Sequence, residues 1–220
     1  MNVMKTDWLV VAGLMCALLC AGFTSATAEE LKPIQLSPPQ LDKGKLLMQA
    51  LKDRKTSRDF KPDKLPLDVL SNLLWAAWGI NRPEAGKHTA PSAQNKQEID
   101  VYVTTADGVY LYDPKAHALQ PVVEGDKRAF CGTQTFVKDA PLNLVFVADL
   151  AKMSDRDEVD KMMWAGADTG FISQNVYLFC ASEGLATVVR AYVDRPKLAE
   201  VIKLRPTQKI TFSQTVGYPK

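Results

Sequence analysis

The reading of this chain turns on Thr89-Ala90-Pro91-Ser92-Ala93-Gln94-Asn95-Lys96-Gln97 and the run Ile99-Asp100-Val101-Tyr102-Val103-Thr104 behind it. The first segment holds small residues, one proline and polar amides, with no hydrophobic period. The second alternates Ile99, Val101 and Val103 with Asp100, Tyr102 and Thr104, the pattern of a half-buried strand. A basic run lies upstream, Arg54-Lys55-Thr56-Ser57-Arg58-Asp59-Phe60.

Between these stretches sits an apolar helix. Pro66 suits its first residue, with Asp68 in the first turn. Leu67, Leu70, Leu74 and Trp78 share one face, and Gly79 can stop it. Ile80 to Gln97 then reads as a loop of roughly 18 residues, a length usually kept for function. Further upstream, Asp42 can cap a helix carrying Leu46, Leu47, Ala50 and Leu51 at helical spacing. Residues 29–41, with Pro33, Pro38 and Pro39, read as an extended linker or arm.

Downstream, Ala106-Asp107-Gly108 is a hairpin turn and Val109 to Tyr112 the returning strand. Gly125 to Phe136 reads as a short helix. Leu142 to Val147 is continuously apolar, as in a central buried strand. Ser154 and Asp157 resemble a capping box before a long helix that ends at Gly184; Gly166 and Gly170 within it suggest close helix packing. Leu185 to Tyr192 is a strand, Pro196 opens a short helix, and Gln208 to Tyr218 is the last strand. The expected class is α+β, with α-β-α layering around a mixed central sheet.

The first 28 residues have a secretory pattern: Lys5, an apolar run from Trp8 to Phe23, then Ala26-Thr27-Ala28 before Glu29. Cleavage after Ala28 predicts a periplasmic or secreted protein. An uncleaved membrane anchor is the alternative, although the run is short for a span of roughly 20 residues. Lipid-modified Cys20 is a third option. The domain is then 42–220. A net charge of +2 with 24% charged residues gives no reason to expect nucleic acid as partner. Cys131 and Cys180 do not make a disulfide framework, and the isolated histidines make a metal site unlikely.

Arg54, Lys55 and Arg58 supply cations for a phosphate monoester, and Thr56 and Ser57 supply hydroxyls. Basic residues at a helix C-terminus are equally at home simply opposing its dipole. Ala90, Ser92 and Ala93 are small enough to let a ring approach, or the segment is a surface loop. His88 has no partner spaced for a triad, Cys131 suits a buried thiol, and Trp75 and Trp78 suit the core.

The order of these motifs resembles the nitroreductase superfamily, in its branch of SagB/ThcOx-type dehydrogenases. The matching pieces are the basic run with Phe60, Leu74-Trp75-Ala76-Ala77-Trp78-Gly79-Ile80, and Ala90-Pro91-Ser92-Ala93. They continue with Gly108-Val109-Tyr110-Leu111-Tyr112-Asp113-Pro114 and His117, Gln134 before Ala140-Pro141, Gln174-Asn175, Glu183-Gly184-Leu185, and Gly217-Tyr218-Pro219. The resemblance implies a homodimer with exchanged helices and FMN at the interface. It assigns Arg54, Lys55, Thr56 and Arg58 to the phosphate and ribityl chain. Pro91, Ser92, Ala93 and Asn95 would come from the other protomer, and the backbone of Val189, Arg190 and Ala191 would lie at the flavin edge. Many relatives carry a basic pair in a C-terminal tail, for which only Lys220 stands here. The expected activity is ping-pong transfer between a small-molecule donor and acceptor, with no catalytic side chain. The competing expectations are a dehydrogenase of a small organic or peptide-derived substrate, and a flavin-binding or interaction protein without turnover.

Overall fold

The computed structural model describes residues 30–153 and 155–220, and Leu31–Lys220 form one unit. The arm contributes β1 (Ile34–Gln35), followed by α1 (Leu47–Asp53) and α2 (Leu67–Trp78). The expected 80–97 loop instead contains a small hairpin, β2 (Ile80–Arg82) and β3 (Lys87–His88). A meander of β4 (Ile99–Thr104), β5 (Gly108–Asp113) and β6 (Ala118–Glu124) comes next. Then β7 (Leu142–Asp149) leads into the 26-residue α3 (Glu158–Glu183). The chain closes with β8 (Ala186–Arg190), α4 (Arg195–Val201) and β9 (Gln208–Gly217).

Seven strands form one sheet in the order β1-β6-β5-β4-β7-β9-β8. All its pairings are antiparallel, which corrects the expected mixed sheet. The crossover through α3 does leave β7 and β8 running the same way. They never pair, because β9 lies between them and is antiparallel to both.

The sheet is covered on both faces. Val101, Val103, Leu144 and Phe146 pack with Leu73 and Leu74 of α2 and Ile172 and Val176 of α3. Tyr102, Val145 and Val147 point the other way, into a cluster with Leu198 of α4, Cys131 and Val137. That double covering gives the α-β-α layers. It also explains why β4 is buried on both faces and not only on alternate residues. Where a helix was expected across residues 125–136, short 3-10 turns at Arg128–Cys131 and Thr135–Val137 cap the second cluster.

Helix ends follow local chemistry, with two departures. Pro66 lies one position before α2, and Gly79 ends that helix in extended backbone. Asp42 does not cap α1; Leu46 occupies that position and makes no side-chain cap bond. On α3, Asp157 is the cap, accepting the Asp160 N–H at 2.9 Å, while Ser154 lies outside the described residues. Gly184 takes φ 71°, the left-handed conformation that favours glycine at a helix C-terminus.

Two helical faces remain uncovered within the protomer. Leu46, Leu47 and Met48 are 84%, 63% and 76% exposed. Along α3, Val159, Met163 and Phe171 are exposed on the side that carries Gly166 and Gly170. A Cβ at either glycine would meet nothing within 4 Å, so the close packing expected there is not made inside this chain.

Candidate functional site

The basic run is tied to the free edge of the sheet. Arg54 ends α1, and its guanidinium lies over the Tyr177 ring at 5.3 Å. The Tyr177 phenol accepts the Val189 N–H at 3.1 Å and lies 3.1 Å from Thr56 Oγ1. Two residues earlier on β8, the Thr187 carbonyl accepts the Ser57 N–H at 3.0 Å. β8 is the outermost strand, so alternate backbone groups point away from β9. The segment 54–58 runs along those groups.

The C-terminus returns to the same place. The Lys61 N–H donates to Tyr218 C=O at 2.9 Å, and Phe60 pairs with Pro219. Lys220 therefore lines one cleft of about 440 Å³ with Lys45, Lys55, Ser57, Tyr177 and Leu185. Asp53 and Asp59 also line it, and Asp53 is bonded to Lys45 at 2.8 Å. The cleft combines flexible cations, a hydroxyl and the backbone edge of a strand. Such a donor set suits a phosphorylated planar ligand.

Tyr177 is the residue that joins the basic run to β8. Tyr177→Phe removes the acceptor of the Val189 N–H, and the expected cost is about 1–2 kcal/mol. Denaturant unfolding of the single variant measures it. A loss below about 0.3 kcal/mol would contradict this role for the phenol.

The second segment sits further along α3. The Ala93 N–H donates to Asp168 Oδ2 at 2.8 Å, and the Gln97 N–H to Ser92 Oγ at 3.0 Å. The Gln97 amide reaches Gly86 C=O at 2.8 Å, and Lys96 pairs with Asp155 at 3.1 Å. Gln94, Asn95 and Gln97 have φ of 51°, 56° and 50°. Non-glycine residues seldom occupy this left-handed region, so the surrounding bonds must hold the loop in shape. Pro91, Ser92 and Asn95 line a separate cleft of about 330 Å³ with His88 and Arg82.

The two segments do not meet within one protomer. Their anchors on α3, Asp168 and Tyr177, are nine residues apart, which is about 13 Å at the usual helical rise. Arg54 and Thr56 meet at Tyr177, Lys55 lines the cleft with Lys220, and Arg58 is exposed beside them in sequence; Pro91, Ser92 and Asn95 line the other cleft, with Ala93 held by Asp168. Ala191 is exposed beyond β8. The Arg190 side chain turns inward, donating to Cys131 C=O at 3.0 Å and Thr215 Oγ1 at 2.7 Å. Its backbone pairs with Ser213 of β9, and the groups that β8 turns outward are those of Thr187 and Val189.

His88 belongs to the core. Its ring stacks on Trp78 at 4.0 Å, and Nδ1 donates to Trp78 C=O at 2.8 Å. Burial pushes its pKa down and favours the neutral ring. Cys131 and Cys180 are buried free thiols, and burial raises both pKa values. Tyr177 and Asp168, which anchor the two candidate segments, were not singled out by the sequence reading. The signal was faint: Asp168 is an acid on the same helical stripe as Ala165, Ile172 and Val176.

Comparison with known proteins gives consistent matches. A family model described as the nitroreductase family matches residues 51–218. A candidate nitroreductase of Methanocaldococcus jannaschii is 29% identical over 183 residues, spanning 78% of this chain and 91% of its own length. A crystal structure of a candidate nitroreductase from Ralstonia eutropha is 41% identical with a TM-score of 0.83, covering 88% of this chain and 91% of that one. The NADPH:FMN oxidoreductase of Vibrio harveyi, in complex with NAD+, shares the fold at 19% identity and a TM-score of 0.59, over 79% of this chain and 69% of that one.

Proposed function

The chain belongs to the nitroreductase family, and from that premise we propose that it is an exported FMN-dependent oxidoreductase acting on a small acceptor. The observation that carries this reading is the Arg54–Ser57 run held along the edge of β8, with Lys220 beside it. A phosphate monoester carries close to two charges and is best held by bidentate cations and hydroxyl donors. In this reading Arg54, Lys55, Thr56 and Arg58 hold the phosphate and ribityl chain, and Lys220, which lines the same cleft as Lys55, adds a cation. The backbone of Val189, Arg190 and Ala191 presents donors and acceptors to the ring edge.

FMN, when bound, would supply the redox chemistry, a hydride transfer in two half-reactions. The part of this chain's residues would be to hold and orient it, and no protein nucleophile would be required. The SagB/ThcOx-type branch is part of the proposal, on the strength of Gly108–Pro114 with His117. Residues 1–28, proposed as a signal peptide, lie outside the described residues. Export would separate the protein from NAD(P)H, so the physiological donor would be another small reductant.

A homodimer completes the site in this reading. The exposed Leu46, Leu47 and Met48 of α1 and the open face of α3 offer the apolar surface. A second copy can bring its Pro91–Asn95 loop to the cleft, whose anchor on α3, Tyr177, lies about 13 Å along the helix from that of the same protomer's loop. Light scattering on the mature protein should give twice the protomer mass; a monomer that nevertheless binds FMN fully would remove the cross-protomer assignment.

Turnover is tested by reducing the FMN-loaded protein with NAD(P)H or dithionite and adding a quinone or a nitroaromatic. Bleaching followed by rapid recovery of flavin absorbance is expected. A flavin that no acceptor reoxidises faster than air alone would favour the binding protein without turnover.

A further inference from the structure

Glu98 joins the 89–97 loop to β4, and it is completely buried. Neither of its carboxylate oxygens has a hydrogen-bond partner among the described residues. Asp168, 1% exposed, is the carboxyl whose charge acts on Glu98, and it accepts the Ala93 N–H at 2.8 Å. Two carboxyl groups in such a place resist carrying two negative charges at once. The backbone donor points at Asp168, so the proton belongs on Glu98. Burial, reinforced by the Asp168 charge, pushes Glu98 up from 4.5 to about 7.

The surrounding charges are already engaged. On the turn after β7, Lys152 donates to Gln97 C=O at 2.9 Å and to Asp100 of β4 at 3.3 Å. The Asp149 N–H at the end of β7 donates to Glu98 C=O at 2.9 Å, while the Asp149 side chain pairs with Arg205. Lys96 pairs with Asp155, and Arg156 lies over the Trp164 ring of α3. None of these cations bonds either carboxyl of the pair.

We propose that Glu98 and Asp168 are positioning residues, a buried carboxyl pair sharing one proton that fixes the Ala93 amide and with it the Pro91–Asn95 loop. The role assigned to that loop rests on the flavin reading above; the pair itself does not. Asp168 fixes the loop at Ala93, directly before the left-handed residues 94, 95 and 97. With one proton present, Asp168 accepts the Ala93 N–H and Glu98 remains neutral. Loss of the proton places two like charges side by side without water, and the loop loosens. Because the folded pKa of Glu98 is raised, the stabilisation is complete below about pH 4.5 and is lost as pH rises through about 7.

The test is amide protection at Ala93, corrected for intrinsic exchange, in the mature protein without FMN between about pH 6 and pH 8. Protection in the native sequence should fall about tenfold across that range. Glu98→Gln, which keeps a neutral group of the same shape, should abolish the fall and preserve high protection. Asp168→Asn should lower protection about tenfold at both ends. FMN titration of the same three proteins should follow the same order. Protection that is independent of pH in the native sequence, or a fall that persists in Glu98→Gln, would overturn the pair. Protection in the expected order with identical FMN binding by all three would overturn the positioning role. Protection in the expected order in a protein that takes up no FMN would keep the pair and remove the flavin reading.

Discussion

Replacing Arg54 and Arg58 together by alanine should lower FMN affinity at least about a hundredfold. Each charge-assisted hydrogen bond to a phosphate contributes roughly 1.5–3 kcal/mol, and two lost bonds amount to about 3 kcal/mol or more. The fold should survive, because Arg58 is exposed, Arg54 is only partly buried and neither makes an ion pair among the described residues. Surface substitutions of this kind usually stay within about 0.5 kcal/mol of the parent stability. Arg54→Lys should fall between the two, since lysine keeps the charge but not the planar stacking on Tyr177. Fluorescence titration with FMN measures all three proteins. Unchanged affinity in the double variant would show that the phosphate lies elsewhere.

Arg190→Met should destabilise the protein by about 3–5 kcal/mol, a drop of roughly 10 °C in the unfolding midpoint. The guanidinium is 5% exposed and donates to Cys131 C=O, Asn143 Oδ1, Ser213 Oγ and Thr215 Oγ1, at 2.7 to 3.1 Å. It has no carboxylate among these partners. Burial lowers its pKa to about 10, and it remains charged at neutral pH. Methionine fills comparable space but removes every one of those donors from the interior, and only Asn143 Oδ1 keeps a second partner, the Thr215 hydroxyl. Arg190→Lys should not rescue, because one ammonium cannot span four acceptors. Gly132→Ala should be damaging for the same reason: an added Cβ would collide with the Arg190 guanidinium. Urea unfolding decides, and a loss under about 1 kcal/mol would mean that the surrounding polar groups find partners among themselves.

Much of the fold could be read from periodicity. Leu142–Asp149 is apolar throughout because both of its faces are covered, and α2 shows a clear buried stripe. The expectations failed where the deciding contact is distant in sequence. Strand β6 contains Pro121, which argues against a strand, yet Pro121 pairs with Tyr110 beside a register shift that accommodates it. The hairpin β2–β3 is too short to show any period. The antiparallel sheet depends on β9 entering between β7 and β8, an event invisible to local pattern. Leu46, Leu47 and Ala50 do mark a helix, but their spacing did not reveal that the leucines face outward.

The candidate site was legible in part. The basic run and the Pro91–Asn95 loop were proposed from residue chemistry and motif order. Tyr177 and Asp168, which anchor them, sit inside a long helix where neither forms a motif. Arg190 was chosen for its backbone, and the structure gives its side chain a separate role in the core.

The central claim is that each protomer holds one FMN between its Arg54–Arg58 run and the edge of β8. The most direct measurement is titration of the mature protein with FMN, followed by visible absorbance and mass. The account predicts a yellow protein that retains one FMN per protomer through gel filtration and loses it in the Arg54→Ala/Arg58→Ala variant. A colourless, folded protein that takes up no FMN would contradict it.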